Sequence, residues 1–172
     1  LGIFQVGLIG APESYARASY HAVHTFWVTD PDGVRRPVRF SWQPVAGVRN
    51  TDPKAVPHEK YLFDELRDRL QRWPARFMLM MTIGEEGDAL DDCTKPWPGT
   101  RVRVAMGTLT LTEIPEGEDQ AAAGERISFN PCRLAPGIEA SKDPILEARL
   151  GAYEVSREMR GGCPFKWSAD NA

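Results

Sequence analysis

The sequence has few cysteines, no membrane-length apolar run and almost no excess of either charge, and each shortage removes a class of protein. Its three cysteines, Cys93, Cys132 and Cys163, are odd in number, and no two stand at C-x-x-C spacing. That pattern argues against a disulfide framework and against a cysteine-rich zinc site. A cytoplasmic setting is the expectation that follows, with the periplasm as the alternative. No apolar stretch approaches the roughly 20 residues that span a bilayer. Lys and Arg number 21 against 24 Asp and Glu, with the signs interspersed. A net charge of −3 sets up no field that would draw in nucleic acid or an anionic membrane. A starting methionine is missing as well. The opening LGIFQVGLIGAP lacks the basic flank of a signal peptide. The expectation is a chain that begins partway through a longer protein, or an N-terminally trimmed one.

What remains suits a globular fold. At 172 residues and 42% hydrophobic, the chain can bury a sizeable core. It shows no repeat and no evident domain boundary. Tyr20–Asp30, rich in aromatic and β-branched residues, reads as a strand. Asp30-Pro31-Asp32-Gly33 reads as a turn, and Val34–Trp42 as the returning strand. A Pro-rich loop over Gln43–His58 leads to a helix from about Glu59 to Trp73. Leu62, Phe63, Leu66, Leu70 and Trp73 share one face of it, and Pro74 stops it. The apolar run Ala75–Gly84 reads as a strand buried on both sides, and Val102–Ile114 as a further strand. A polar loop over Glu85–Arg101 separates them, and an acidic loop over Pro115–Glu125 follows. The last element is a helix with Asp143 as N-cap and Pro144 at its first position, running to about Arg160 and ended by Gly161-Gly162.

On this last helix Arg149 and Tyr153 stand at i and i+4, with Arg157 and Arg160 at i+4 and i+7 from the tyrosine. By itself such spacing is more often an ordinary surface or core pair. Neighbouring segments change the weighing. Phe129-Asn130-Pro131 followed by Pro136-Gly137-Ile138-Glu139, then Arg149-x-x-x-Tyr153, resemble the signature and haem-ligand motifs of the haem catalases. Upstream, Thr94-Lys95-Pro96-Trp97-Pro98 and His24-Thr25-Phe26 are similar to two further elements of that family, in the same order. The short loops look more like the small catalase-related peroxidases than the long-chain catalases.

The resemblance implies an α+β fold: the second half of an eight-stranded antiparallel β-barrel, with a C-terminal helix that carries the haem ligand. Residues 1–172 then form part of a catalase core domain. The family's distal acid–base histidine belongs to its N-terminal half, outside the matched region, so these residues alone are expected to be inactive. By the resemblance Tyr153 is the axial ligand to the iron of haem b. An unperturbed tyrosine has a pKa of about 10, so a nearby guanidinium and the ferric ion are needed to favour a phenolate. Arg149 supplies the guanidinium, and Asp143 and His24 complete a hydrogen-bonded chain behind it. Arg160 stands where the family has an arginine near the haem propionates, and Arg157 where many members carry a histidine. Phe129 matches a pocket-wall phenylalanine.

The implied activity is decomposition of hydrogen peroxide, or a related peroxidation of an organic donor, by a homo-oligomer. His21 stands three residues before His24 and reads as exposed or structural. Each candidate also has a plain reading. Asp143 is explained as a helix cap, His24 as a satisfied core histidine, and Phe129 as core. Two other functions stay open at this point. One is a haem-binding module without peroxide turnover. The other is an apolar-ligand barrel lined by Met78, Met80 and Met81.

Overall fold

The computed structural model describes residues 10–55, 57–114, 124 and 127–160. Apart from Gly124, the acidic loop at 115–125 and the glycine stop at 161–162 lie outside these residues. In chain order the elements are a 3-10 turn at Tyr15–Arg17, β1 (Tyr20–His21), β2 (Phe26–Thr29), β3 (Arg35–Pro44), α1 (Tyr61–Leu70), β4 (Ala75–Ile83), β5 (Arg103–Leu111), β6 (Ile138–Ala140) and α2 (Pro144–Met159). They fall into two compact units interleaved in sequence. Among the described residues, one comprises those up to Val23, Val38–Gly84 and Gly99–Ile114; the other comprises His24–Pro37, Glu85–Pro98 and those after Ile114. No described helix is long and apolar enough to cross a membrane.

The first unit is an antiparallel ladder with a helix. Strand β4 pairs β3 from Val38↔Ile83 to Pro44↔Phe77, and on its other edge pairs β5 from Ala75↔Leu111 to Thr82↔Arg103. The second register slips between Leu79 and Met80, which leaves Met106 without an opposite residue, as in a β-bulge. Strand β1 adds Tyr20↔Trp42 and His21↔Ser41. Ala16, Ala75 and Phe77 are buried at the centre, with Trp42, Leu66, Leu70 and Leu111 packed around them.

Two expectations change in this unit. Ala75 and Phe77 are buried, but Arg76 between them is exposed and Met78–Ile83 are half-buried, so β4 is not covered on both faces. Strand side chains alternate, and the apolar thioethers had disguised that alternation. Helix α1 is shorter than its periodicity predicts and has no fully buried residue. Leu66 and Leu70 reach the core, while Phe63 and Trp73 stay exposed. Phe63 meets the edge of Tyr15 at 5.6 Å between ring centroids. An apolar pocket of about 150 Å³ is lined by Tyr15, Tyr20, Trp42, Leu66 and Phe77 among others, rather than by the methionines of β4.

The strand expected over Tyr20–Asp30 is two strands, and the chain passes between units where it breaks. After His21 the Ala22 N–H bonds to Phe40 O; His24 and Thr25 then turn inward and are buried. In the second unit β2 pairs β6, with Phe26↔Ala140, Trp27↔Glu139 and Val28↔Ile138. The predicted turn at Asp30–Gly33 is present. Asp30 Oδ1 accepts the N–H groups of Asp32 and Val34 at 3.1 and 2.8 Å. Arg35 donates to Glu139 at 2.7 Å and lies 4.2 Å from the centre of the Trp27 ring, tying the hairpin to β6.

The segment Ala135-Pro136-Gly137-Ile138 explains its own composition. Ile138 N–H bonds to Ala135 O at 3.1 Å, and Gly137 has φ 84°. This is a type II turn, in which proline presets the first central residue and the second needs positive φ. The turn carries the chain into β6, and Gly137 O accepts Thr29 N–H at 2.9 Å. A Cβ at Gly137 meets Thr29 O at 3.5 Å, so the objection to a side chain is conformational and not steric. Gly137→Ala is expected to cost about 1 kcal/mol, read as a lower urea midpoint with unchanged slope. An unchanged midpoint would show that the turn relaxes at no cost.

Candidate functional site

The site lies in the second unit and is organised by the start of α2. Asp143 has extended backbone and caps the helix, its Oδ1 accepting Ile145 N–H at 2.8 Å. Pro144 follows at a position where its missing N–H costs nothing. The other carboxylate oxygen is fully engaged: Oδ2 lies 3.0 Å from His24 Nδ1 and accepts Cys93 N–H at 2.9 Å. Asp143 is 1% exposed and His24 3%. Burial is the largest single influence on this carboxyl and pushes its pKa up. Hydrogen bonds from His24, Ile145 and Cys93 outweigh it and hold the pKa at about 2. The carboxylate is therefore ionised near neutrality and accepts only, so Nδ1 carries the proton that His24 donates.

Three chain segments meet at this carboxylate, each independently tied down. Thr25 O, next to His24, accepts Ser141 N–H at 3.1 Å. In the loop before the Thr-Lys-x-Trp-Pro element, Asp92 accepts Thr94 N–H and its hydroxyl, and Asp91 accepts Lys142 N–H at 2.8 Å. Trp97 Nε1 donates to Ala89 O at 2.9 Å. That loop delivers Cys93 to the site. Burial, followed by the neighbouring Asp143, pushes the Cys93 thiol pKa up. Its separation of 50 residues from Asp143 corresponds to no motif spacing, so sequence reasoning passed it over.

From the second turn of α2 to its C-cap, the arginine-rich face forms as its spacing predicts. Arg149 NH2 donates to Tyr153 Oη at 2.6 Å, and its guanidinium carbon lies 5.2 Å from the ring centre. Arg149, Tyr153 and Arg160 are half-buried and Arg157 is buried, whereas Gly151, Ala152, Val155, Ser156 and Met159 are exposed. The face thus turns toward protein. Leu146, 1% exposed, anchors it one turn earlier. Arg160 donates to Ile127 O at 3.2 Å and sits 5.2 Å from the centre of the Phe129 ring. Phe129 itself is 57% exposed, so it is not core. Cys132 lies close enough to Arg149 for the guanidinium to oppose, incompletely, the upward push of burial on its thiol.

The structure therefore gathers the sequence-predicted residues as two hydrogen-bonded pairs, His24–Asp143 and Arg149–Tyr153. Among the described residues no hydrogen bond joins the first pair to Arg149. His21 is exposed on β1 and lies outside this group. His58 faces Asp64 of α1 at 3.9 Å, in the other unit.

Comparison with known proteins gives a consistent picture. The chain is 36% identical over 152 residues to a catalase-related peroxidase of Synechococcus elongatus, covering 87% of this chain and 44% of that protein. It is 35% identical over 159 residues to a catalase-related peroxidase of Mycolicibacterium paratuberculosis, covering 88% and 48%. The chain thus spans about half the length of these relatives. A crystal structure of a fungal catalase superposes with a TM-score of 0.78 at 25% identity, over 88% of this chain and 32% of that one. The antiparallel strands and following helix described above are accordingly a catalase-like fold. The family model described as Catalase matches residues 3–168; the chain belongs to the catalase family.

Proposed function

We propose that the protein containing this chain decomposes hydrogen peroxide, or uses it to oxidise an organic donor, at a haem b held by Tyr153. Residues 1–172 supply the proximal half of a catalase core, including part of its eight-stranded barrel and the ligand helix. The observation that carries the reading is the 2.6 Å hydrogen bond from Arg149 to the Tyr153 phenol oxygen, on a face of α2 that turns inward. A guanidinium donating to an oxygen stabilises that oxygen as an anion, which is the form a ferric ligand requires. The donor set therefore fits the group.

In this reading Tyr153 holds the iron, and Arg149 orients the phenol oxygen through its hydrogen bond. Arg157 and Arg160 supply positive charge on the same face for the haem carboxylates, and Phe129 offers an apolar wall. His24 and Asp143 fix the start of the helix, so that Arg149 and Tyr153 are presented from a rigid element. Bound haem would supply the redox chemistry that peroxide cleavage needs. Cys93 and Cys132 as free thiols fit a cytoplasmic setting.

Arg149→Leu tests the support role. It is expected to keep the fold, because Arg149 is only half-buried. It should lower haem occupancy or the rate of oxygen release from peroxide by about tenfold, the scale on which partners of metal ligands act. Occupancy and rate equal to the parent's would sink the assignment. A parent that binds haem but consumes no peroxide, with or without an organic donor, would favour a haem-binding module without turnover.

A further inference from the structure

We propose that His24, Cys93 and Asp143 form a three-ligand binding site for a single divalent ion of borderline softness, for which Zn2+ is the probe. One ligand atom of each residue, an imidazole nitrogen, Sγ and a carboxylate oxygen, lies within 4.8 Å of the other two. These are the donor types that zinc takes, and three protein ligands leave a fourth position open for water or a small ligand. Bond lengths of about 2.0–2.3 Å space tetrahedral ligands by roughly 3.3–3.8 Å, so small side-chain rotations close the site.

Three features separate this group from a chance cluster of polar side chains. Asp143 and His24 are buried and Cys93 is half-buried, so the ligands are not a solvated acidic patch. They come from three segments held in place without any ion. The Ser141–Thr25 bond anchors His24, the Asp91–Lys142 bond anchors the Cys93 loop, and the N-cap bond to Ile145 anchors Asp143. The cap also uses Oδ1, so the ligand atom is Oδ2, which faces His24 and keeps its bond from Cys93 N–H while the ion takes the place of the His24 proton. Such outer hydrogen bonds orient ligands in metal sites generally.

The charge balance is also favourable. The Asp143 carboxylate and a Cys93 thiolate neutralise a dipositive ion, which makes an occupied site neutral in buried surroundings. Binding proceeds with loss of the Cys93 S–H proton to solvent, and the ligating nitrogen of His24 gives up any proton it carries, as metal ligands must. A thiolate selects against Mg2+ and Ca2+, which prefer oxygen donors. The site shares His24 and Asp143 with the proximal arrangement proposed above but does not depend on a haem being bound.

The test uses the full-length protein as purified, with thiols reduced, dialysed against either Zn2+ or a chelator. Alkylation of each cysteine is then followed by peptide mass. Zn2+ is expected to slow alkylation of Cys93 strongly and of Cys132 little, Mg2+ to slow neither, and a single equivalent of zinc to be retained after dialysis. Cys93→Ser, a near-isosteric change, should lose the retained zinc, and Cys132→Ser should keep it. Equal alkylation of Cys93 with and without Zn2+ overturns the proposal without recourse to any variant. So does zinc retention that survives in Cys93→Ser.

Discussion

Replacing Tyr153 by phenylalanine is expected to strip the protein of haem. The substitution removes one oxygen and leaves the ring, so the half-buried packing of α2 should survive. What disappears is the atom to which Arg149 donates at 2.6 Å. If that atom is the iron ligand, haem affinity should fall at least about tenfold, a loss of about 1.4 kcal/mol or more. The ratio of Soret to protein absorbance after purification reads the loss directly. Any residual haem should show altered charge-transfer bands. A Tyr153→Phe protein whose spectrum and occupancy match the parent would move the ligand elsewhere and remove the basis of the functional reading.

Asp143→Ala is expected to be the most destabilising single change at the site, by about 3 kcal/mol. The sum combines a lost helix cap, about 1 kcal/mol, with buried His24 and Cys93 donors left without their acceptor, about 1–3 kcal/mol. Asp143→Asn should cost less, since an amide oxygen still caps α2. Urea unfolding in a chelating buffer separates the three proteins. A midpoint for Asp143→Ala equal to the parent's would mean that the carboxylate only decorates the helix start.

The same residue sets an acid limit with a definite sign. Its folded pKa of about 2 lies below the ordinary 3.8. Its contribution, about 2 kcal/mol, is therefore present above pH 3.8 and is lost as pH falls toward 2. The Asn variant should show a shallower loss of stability across that window. Parallel pH curves for parent and Asn variant would contradict the assignment.

How much of this was legible without coordinates differs from element to element. Local chemistry was sufficient where the physical reason is local. Asp143-Pro144 marks a helix start because a cap and a donorless residue suit that position and no other nearby. Arg149 and Tyr153 meet because four residues make about one helical turn. Asp30-Pro31-Asp32-Gly33 makes a turn because proline presets φ and glycine tolerates a positive one, here φ 81° at Gly33. The motif order, read as a resemblance, led to the family that the comparisons then established.

Everything that depends on distant segments was decided by the tertiary structure. Periodicity could not divide Tyr20–Asp30 into β1 and β2, because the break is imposed by His24 turning to a carboxylate 119 residues away. It could not distinguish a half-buried β4 from a fully buried one, since methionine and leucine serve on either kind of face. Nor could it bring Cys93 to His24 and Asp143, because that meeting arises from hydrogen bonds of a loop whose own sequence is polar and aperiodic. Sequence determined the turns, the caps and the helical face, each of which is settled within a few residues. The meeting of three segments at one buried carboxylate is a property of the folded chain alone.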